Sequence, residues 1–278
     1  MPELPEVERA RRRVEKVARG KTIRHVQVAD DPIVMEAVPP RRVRAALTGR
    51  RVEAVWRWGK HLWVELDRPP AVLFHLGMTG SFEVPGGHRL PLATGPRPGT
   101  DGWPPRFTKL RLEFDDGSEL AFTNARRLGR IRLRRTPREE EPLRSLGFDP
   151  YLALPVESEF RRLVQVRSAT LKGLLLDQGF AAGVGNWIAD EVLYQARLDP
   201  RRRGNELSVA EVRRLRSKLR HVIRFAVEVD ADKARFPRSW LFHHRWGKDE
   251  DARTARGERV EFLKLAGRTT AWVPEVQA

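Results

Sequence analysis

The chain opens Met1-Pro2-Glu3-Leu4-Pro5-Glu6-Val7-Glu8. Initiator methionine is usually removed before a proline, which would leave Pro2 as a secondary amine. An α-amino group titrates near 8 against about 10.4 for lysine. At neutral pH roughly a tenth of it is therefore unprotonated, a few-hundred-fold larger fraction than an exposed lysine offers. Attack of such an amine on a sugar C1′ gives an iminium, an electron sink that acidifies the neighbouring C2′ hydrogens. Carboxylates at Glu3 and Glu6 could handle the protons. The alternative is an ordinary acidic helix start.

Other candidates carry the same two-way reading. Lys60 sits between strand-like stretches 52–58 and 62–66, where a hairpin-turn cation contributes little. Met78 follows the apolar run Ala71–Leu76, and methionine there is usually core filling. Arg126, Arg127 and Arg130 form either a solvated basic face or a set of phosphate contacts. Gly183-Val184-Gly185-Asn186 precedes a helix beginning at Trp187. Backbone N–H groups at a helix start hold phosphate well, but a structural turn reads identically.

These residues need elements to position them. Val7, Ala10, Val14 and Val17 recur at helical spacing within 3–18, with Arg9, Arg11, Arg12, Arg13 and Lys16 on the other face. Pro5 suits a first turn and Glu6 its dipole. From about 22 to 135 the period becomes two. Leu62, Val64 and Leu66 alternate with Trp63 and Glu65, and Leu110, Leu112 and Phe114 with Lys109, Arg111 and Glu113. Such strands predict an antiparallel sandwich or barrel, with a Gly- and Pro-rich loop over 85–105. Past Pro137 the spacing predicts helices over 157–167, 186–197 and 208–228. The last has Val209, Val212, Leu215, Leu219, Val222, Ile223 and Ala226 inward and a Ser208/Glu211 capping box. Strand-like pieces return at 260–265 and 269–273.

Composition narrows the chemistry. Among 278 residues, 53 Lys and Arg exceed 37 Asp and Glu, giving a net charge of +16. A surplus of that size predicts a polyanionic partner, nucleic acid before anionic membrane. There is no cysteine, which removes disulfides, thiolate nucleophiles and Cys-based zinc sites. No HxxxH or HExxH pair occurs, and adjacent His243 and His244 would point to opposite faces of a strand. No apolar run approaches the roughly 20 residues that span a bilayer. The N-terminus lacks the apolar stretch of a secretory signal, so an intracellular protein, cytoplasmic, nucleoid-associated or nuclear, is expected.

The opening segment, Gly59-Lys60, His75-Leu76-Gly77-Met78-Thr79-Gly80, Arg126-Arg127-Leu128-Gly129, and Asp177-Gln178 through Gly183-Val184-Gly185-Asn186 occur in order. Together they resemble the signature set of the formamidopyrimidine-DNA glycosylase/endonuclease VIII family, over essentially the whole chain. The resemblance implies a bifunctional DNA glycosylase/AP lyase of base-excision repair, binding double-stranded DNA with oxidised bases or abasic sites, as a monomer and without cofactor. It makes Pro2 the Schiff-base nucleophile, Glu3 the acid that assists sugar ring opening, and Glu6 a supporting carboxylate. Lys60 would contact a lesion-flanking phosphate and donate a proton in β-elimination. Met78 would plug the duplex after the base is extruded, and Arg126 would face the orphaned base. Leu128 stands where bacterial members carry a phenylalanine wedge. Asn186 would grip the DNA backbone, with Lys172 and Arg167 as further phosphate partners.

The resemblance also implies the fold class: α+β multidomain, an N-terminal helix plus antiparallel β-sandwich (1–136), a helix–two-turn–helix domain (137–235) and a C-terminal β-hairpin finger (236–278). Val273 and Val276 occupy places where that finger carries zinc-binding cysteines. Trp240-Leu241-Phe242-His243-His244-Arg245-Trp246-Gly247-Lys248 resembles the plant branch, whose finger is zincless. Phe262, Leu265 and Trp272 are then expected to hold the hairpin, and Arg268 to bind phosphates and assist δ-elimination. About ten residues separate the long helix from Trp240, short for a loop that covers 8-oxoguanine. Formamidopyrimidines and hydantoins are the expected substrates, with weak 8-oxoguanine release. Excision of oxidised pyrimidines, and a damaged-DNA binder without chemistry, are the alternatives.

Overall fold

The computed structural model describes residues 2–87, 102–247, 249 and 251–277. The centre of the 85–105 loop, and Lys248, lie outside them. The chain forms two compact units, one of Pro2 and Glu6–Ser145, the other of Glu3–Pro5 and Leu146 onward. Residues 137–145 thus group with the strands, and the helices beyond Leu146 group with the terminal hairpin.

In the first unit, helix α1 (Leu4–Ala18) buries Val7, Val14 and Ala18. Two four-stranded antiparallel sheets share one core with it. One sheet has the order β1 (Ile23–Val28), β6 (Thr108–Phe114), β7 (Glu119–Thr123), β5 (Ser81–Glu83). The other runs β2 (Val52–Trp58), β3 (His61–Leu66), β4 (Ala71–His75), β8 (Arg130–Arg134). The β6 alternation holds, with Leu110, Leu112 and Phe114 buried. In β3 it fails at Trp63, which is buried although it faces away from Leu62 and Val64, while Glu65 on its own face is exposed. Helix α2 (Pro40–Leu47) escapes sequence periodicity, since only Val43 and Leu47 point inward.

The topology has one consequence for the site. Strand β4 pairs with β8, and β5 pairs with β7. The β4–β5 and β7–β8 connections both pass between sheets, so residues 76–80 and 124–129 must run side by side.

The second unit is built on α3 (Glu157–Gln165), α4 (Leu171–Leu176), α5 (Asn186–Ala196) and α6 (Val209–Glu228). The Ser208/Glu211 capping box forms as expected. Val209, expected inward, is 45% exposed: the first turn overhangs the core, and the buried stripe starts at Val212. Leu241–His243 is a 3-10 turn, not a strand, and His243 and His244 both meet backbone carbonyls. Strands β9 (Glu261–Leu265) and β10 (Arg268–Trp272) form a hairpin on a two-residue turn. Ala266 and Gly267 there have φ +47 and +70, the left-handed pair that matches strand twist.

The hairpin is held by Phe262 as expected, but around a cluster not anticipated. Val260, Ala271 and Val273 form a buried cluster with Tyr194 and Leu241, while Phe262 and Val276 pack on it half-buried. Trp272 instead lies under the Arg201 guanidinium, 4.4 Å from its ring, and Leu265 is outside the cluster. Gln277 completes the fastening. Its Oε1 accepts from Val273 N at 2.7 Å and its Nε2 donates to Leu198 O at 2.9 Å.

Candidate active site

Pro2 is buried and lines a small cavity with Glu6, Arg9 and Arg13 of α1 and Leu76, Gly80, Ser81 and Phe82. The cavity therefore joins the chain start to the two ends of the loop that carries Met78. A fixed ion pair steadies this face of α1: Arg57 Nε donates to Glu8 Oε2 at 2.9 Å, both side chains buried. Burial pushes the Glu8 carboxyl up, but Arg11 and Arg57 outweigh it and hold it below the usual range. The same Arg57 donates to Gly59 O at 3.0 Å, which fixes the β2–β3 turn bearing Lys60. Gly59 has φ +59, so glycine suits that turn. Lys60 itself is 9% exposed.

Lys60 adjoins a pair of histidines whose rings meet at a tilt. His61 and His75 face each other across β3 and β4 with ring centroids 4.9 Å apart. Burial, then neighbouring positive charge, depresses them to about 3 and about 4. Both are neutral at pH 7, and His75 Nδ1 accepts from Gly77 N at 3.2 Å.

The two crossing loops are welded through Asn124, which is fully buried. Its Nδ2 donates to Leu76 O and its Oδ1 accepts from Gly129 N, at 3.1 and 3.0 Å. Gly77 is required by close approach: a Cβ there would lie 2.4 Å from the Leu128 carbonyl carbon. Met78 is half-buried beside this crossing, Arg126 is exposed and Leu128 is 43% exposed. The structure thus brings together three residues that the sequence scatters over fifty positions. Arg127 differs from its neighbours, because its guanidinium is taken by Asp31.

In the second unit the sequence motif has a structural explanation. Gln178 donates to Leu176 O and Val184 O and accepts from Gly183 N, shaping the turn before α5. The helix start does not await a phosphate. The Glu3 carboxylate, 4% exposed, accepts from Trp187 N at 2.9 Å and Ile188 N at 3.2 Å, so it caps α5 where N–H groups and dipole favour an anion. A Cβ on Gly185 would lie 2.3 Å from Glu3 Cδ; only glycine leaves room for it.

One expected phosphate contact is corrected. Lys172 is fully buried, donating to Asp190 Oδ1 at 2.5 Å and to Asn186 O at 2.9 Å. Asp190 also takes Arg245 Nη2 at 2.6 Å and Ala271 N at 3.3 Å. This is a structural ion cluster that ties α4, α5 and β10, since a buried charge must be paired. Arg167 is half-buried, donates to Leu163 O and covers the Phe180 ring. Asn186 Nδ2 donates to Thr269 O at 2.9 Å, so it links α5 to the hairpin. Arg268 is exposed beside the hairpin turn. Sequence reading missed Asn124, the Glu8–Arg57 pair and Asp31, none of which has a local signal.

Comparison with known proteins gives the family and the fold. Residues 1–131 match the formamidopyrimidine-DNA glycosylase N-terminal domain and 146–238 the H2TH domain of the same enzymes. The chain belongs to the formamidopyrimidine-DNA glycosylase family, whose members are DNA glycosylase/AP lyases. Curated relatives carry that name. One, from Arabidopsis thaliana, is 41% identical over all of this chain and 71% of its own length; another, from Thermus thermophilus, is 35% identical over 98% of its own length. A complex of the LlFpg protein with THF-DNA and an inhibitor matches at 25% identity and TM-score 0.80, over 99% of both chains. Lactococcus lactis Fpg bound to abasic-site DNA shares the fold at TM-score 0.81, 24% identity and 99% of both chains. The hairpin has no cysteine, so it is not a Cys-ligated zinc finger. Among the described residues no helix is long and apolar enough to cross a membrane.

Proposed function

We propose that this chain is a bifunctional glycosylase/AP lyase of base-excision repair that uses Pro2 as its nucleophile. The observation that carries the reading is the cavity that Pro2 and Glu6 share with Leu76 and Gly80, at the root of the Met78 loop. An amine there meets a nucleotide whose base has been extruded and whose place in the duplex is filled by Met78, Arg126 and Leu128.

The proline nitrogen attacks C1′, the glycosidic bond breaks, and the base leaves with a proton. Glu3 assists opening of the sugar ring, and Glu6 supports proton transfer. The resulting iminium draws electrons from C2′–H; loss of that proton expels the 3′ phosphate with Lys60 as proton donor. A second elimination, assisted by Arg268, expels the 5′ phosphate and cuts the strand on both sides of the sugar. Asn186, Arg126 and Lys60 hold the DNA, and binding weakens steeply with salt as phosphate neutralisation demands. A monomer suffices, and no metal or organic cofactor takes part.

Formamidopyrimidines and hydantoins are the preferred lesions, with 8-oxoguanine released poorly. The connection from α6 to Trp240 supports this: residues 229–239 are short and anchored by buried Val229, Ala231 and Phe236, which leaves little chain to fold over a purine.

Borohydride reduction in the presence of an abasic-site duplex tests the chemistry. A covalent adduct is expected from processed protein and none from protein with an N-terminal extension. Full cleavage by the extended protein would remove Pro2 from the mechanism, and no adduct from processed protein would leave a DNA binder. A panel of single-lesion duplexes reads the substrate order; rapid 8-oxoguanine release opposite C would overturn it.

A further inference from the structure

Asp31 lies between β1 and α2, 4% exposed, and four donors converge on its carboxylate. Arg127 grips it with two prongs, Nε to Oδ2 and Nη2 to Oδ1, each 3.0 Å. Lys109 Nζ is 2.8 Å from Oδ2, and Val34 N donates to Oδ1 at 3.2 Å. Arg127 has φ +54, a left-handed conformation that side chains other than glycine rarely adopt. It stands between Arg126 and Leu128, so its backbone sets the direction in which both exposed neighbours leave the loop.

The same segment holds the loop again further on. Ile131 N donates to Val34 O at 2.8 Å, and Glu36 pairs with Arg132 at 2.5 Å and Arg130 at 3.4 Å. Val34 and Met35 are fully buried, so these anchors rest on the core and not on a free loop. Arg126 meanwhile is attached through its backbone, N to Thr79 Oγ1 at 3.4 Å, which leaves its side-chain direction to Arg127.

We propose that Asp31 is a positioning residue for recognition of the base opposite the lesion: by holding Arg127 in its left-handed conformation it aims Arg126 and Leu128 into the duplex. This rests on the assignment of Arg126 and Leu128 given above. A carboxylate is needed because two cations press on it. An amide offers a single acceptor oxygen and sets its own N–H donors against a guanidinium. Burial pushes the Asp31 carboxyl up, but its bonds to Arg127, Lys109 and Val34 N outweigh this and hold it far below the usual carboxylate range, so the clamp stays charged at any working pH.

The test is D31N against the unmodified enzyme, with single-turnover excision of a formamidopyrimidine lesion placed opposite each of the four bases. The readout is the ratio of the fastest to the slowest rate, which does not depend on the fraction of active protein. The unmodified enzyme is expected to discriminate, and D31N to lose at least fivefold of that ratio. R127A should lose as much, and the double variant D31N/R127A no more than either, since one contact is broken in all three. If D31N does not fold, R127A, which leaves Lys109 on the carboxylate, reads the same effect. An unchanged ratio in D31N, additive losses, or an unmodified enzyme indifferent to the opposite base each overturns the proposal. Borohydride trapping on an abasic duplex is scored separately: failure there removes the Pro2 chemistry, whereas trapping with an unchanged ratio removes only the role of Asp31.

Discussion

The terminal hairpin offers a quantitative test of what fastens it in the absence of cysteine ligands. Gln277 is 2% exposed and bridges two buried backbone groups, Val273 N–H and Leu198 C=O. Gln277→Leu keeps most of the volume and removes both bonds. A buried donor or acceptor left unsatisfied costs about 1–3 kcal/mol, so the two together should cost about 2–6 kcal/mol. The loss falls on the hairpin, because the cluster of Val260, Ala271 and Val273 is small while the helical core beneath it keeps its contacts. Opening that is easier by this much speeds local exchange about 30- to 20,000-fold, at tenfold per 1.4 kcal/mol. Hydrogen exchange over residues 268–277 reads it directly. Function should follow, since Arg268 is carried by the same hairpin: abasic-site cleavage should shift from the doubly cut product towards the product of the first elimination only. Exchange within threefold of the unmodified protein would refute the clamp.

Two further variants probe other polar groups. Gly185→Ala drives a Cβ into the Glu3 carboxyl, and because that carboxyl ends a flexible side chain it moves instead of the backbone. We expect base excision to fall about 100-fold or more while the melting temperature drops only a few degrees for the lost helix cap; excision within a few-fold of normal would contradict the role of Glu3. Glu191 is fully buried, and burial, partly offset by bonds from Gln195 and Phe242 N, raises its carboxyl to about 7 from the usual 4.5. The folded state therefore holds a proton that the unfolded state has released, so stability is lost as pH rises from about 4.5 to 7 and stays lost above. Glu191→Gln keeps the acceptor for Phe242 N without the charge. It should stabilise by about 3 kcal/mol at pH 8 and hardly at all at pH 4; a melting-temperature difference that is constant with pH would refute this.

Sequence alone determined the parts whose cause is local. The apolar stripe of α1, the alternation of β6 and the Ser208/Glu211 box all act within a turn or two, so the period and the cap report them. The ordered motifs also disclosed the family. Tertiary structure decided which polar group each side chain answers. The Gly183–Asn186 turn looked like a phosphate cradle, but the helix behind it is capped by Glu3, about 180 residues earlier. Lys172 looked like a phosphate partner, but it is spent in the interior on Asp190, whose carboxylate Arg245 also pairs. Arg127 is indistinguishable from Arg126 in a string of letters, and only the pairing of β4 with β8 and β5 with β7 explains why their loop meets Met78. A hydrogen bond forms only within about 3 Å, and which atoms come that close is fixed by packing between distant segments, not by the neighbours along the chain.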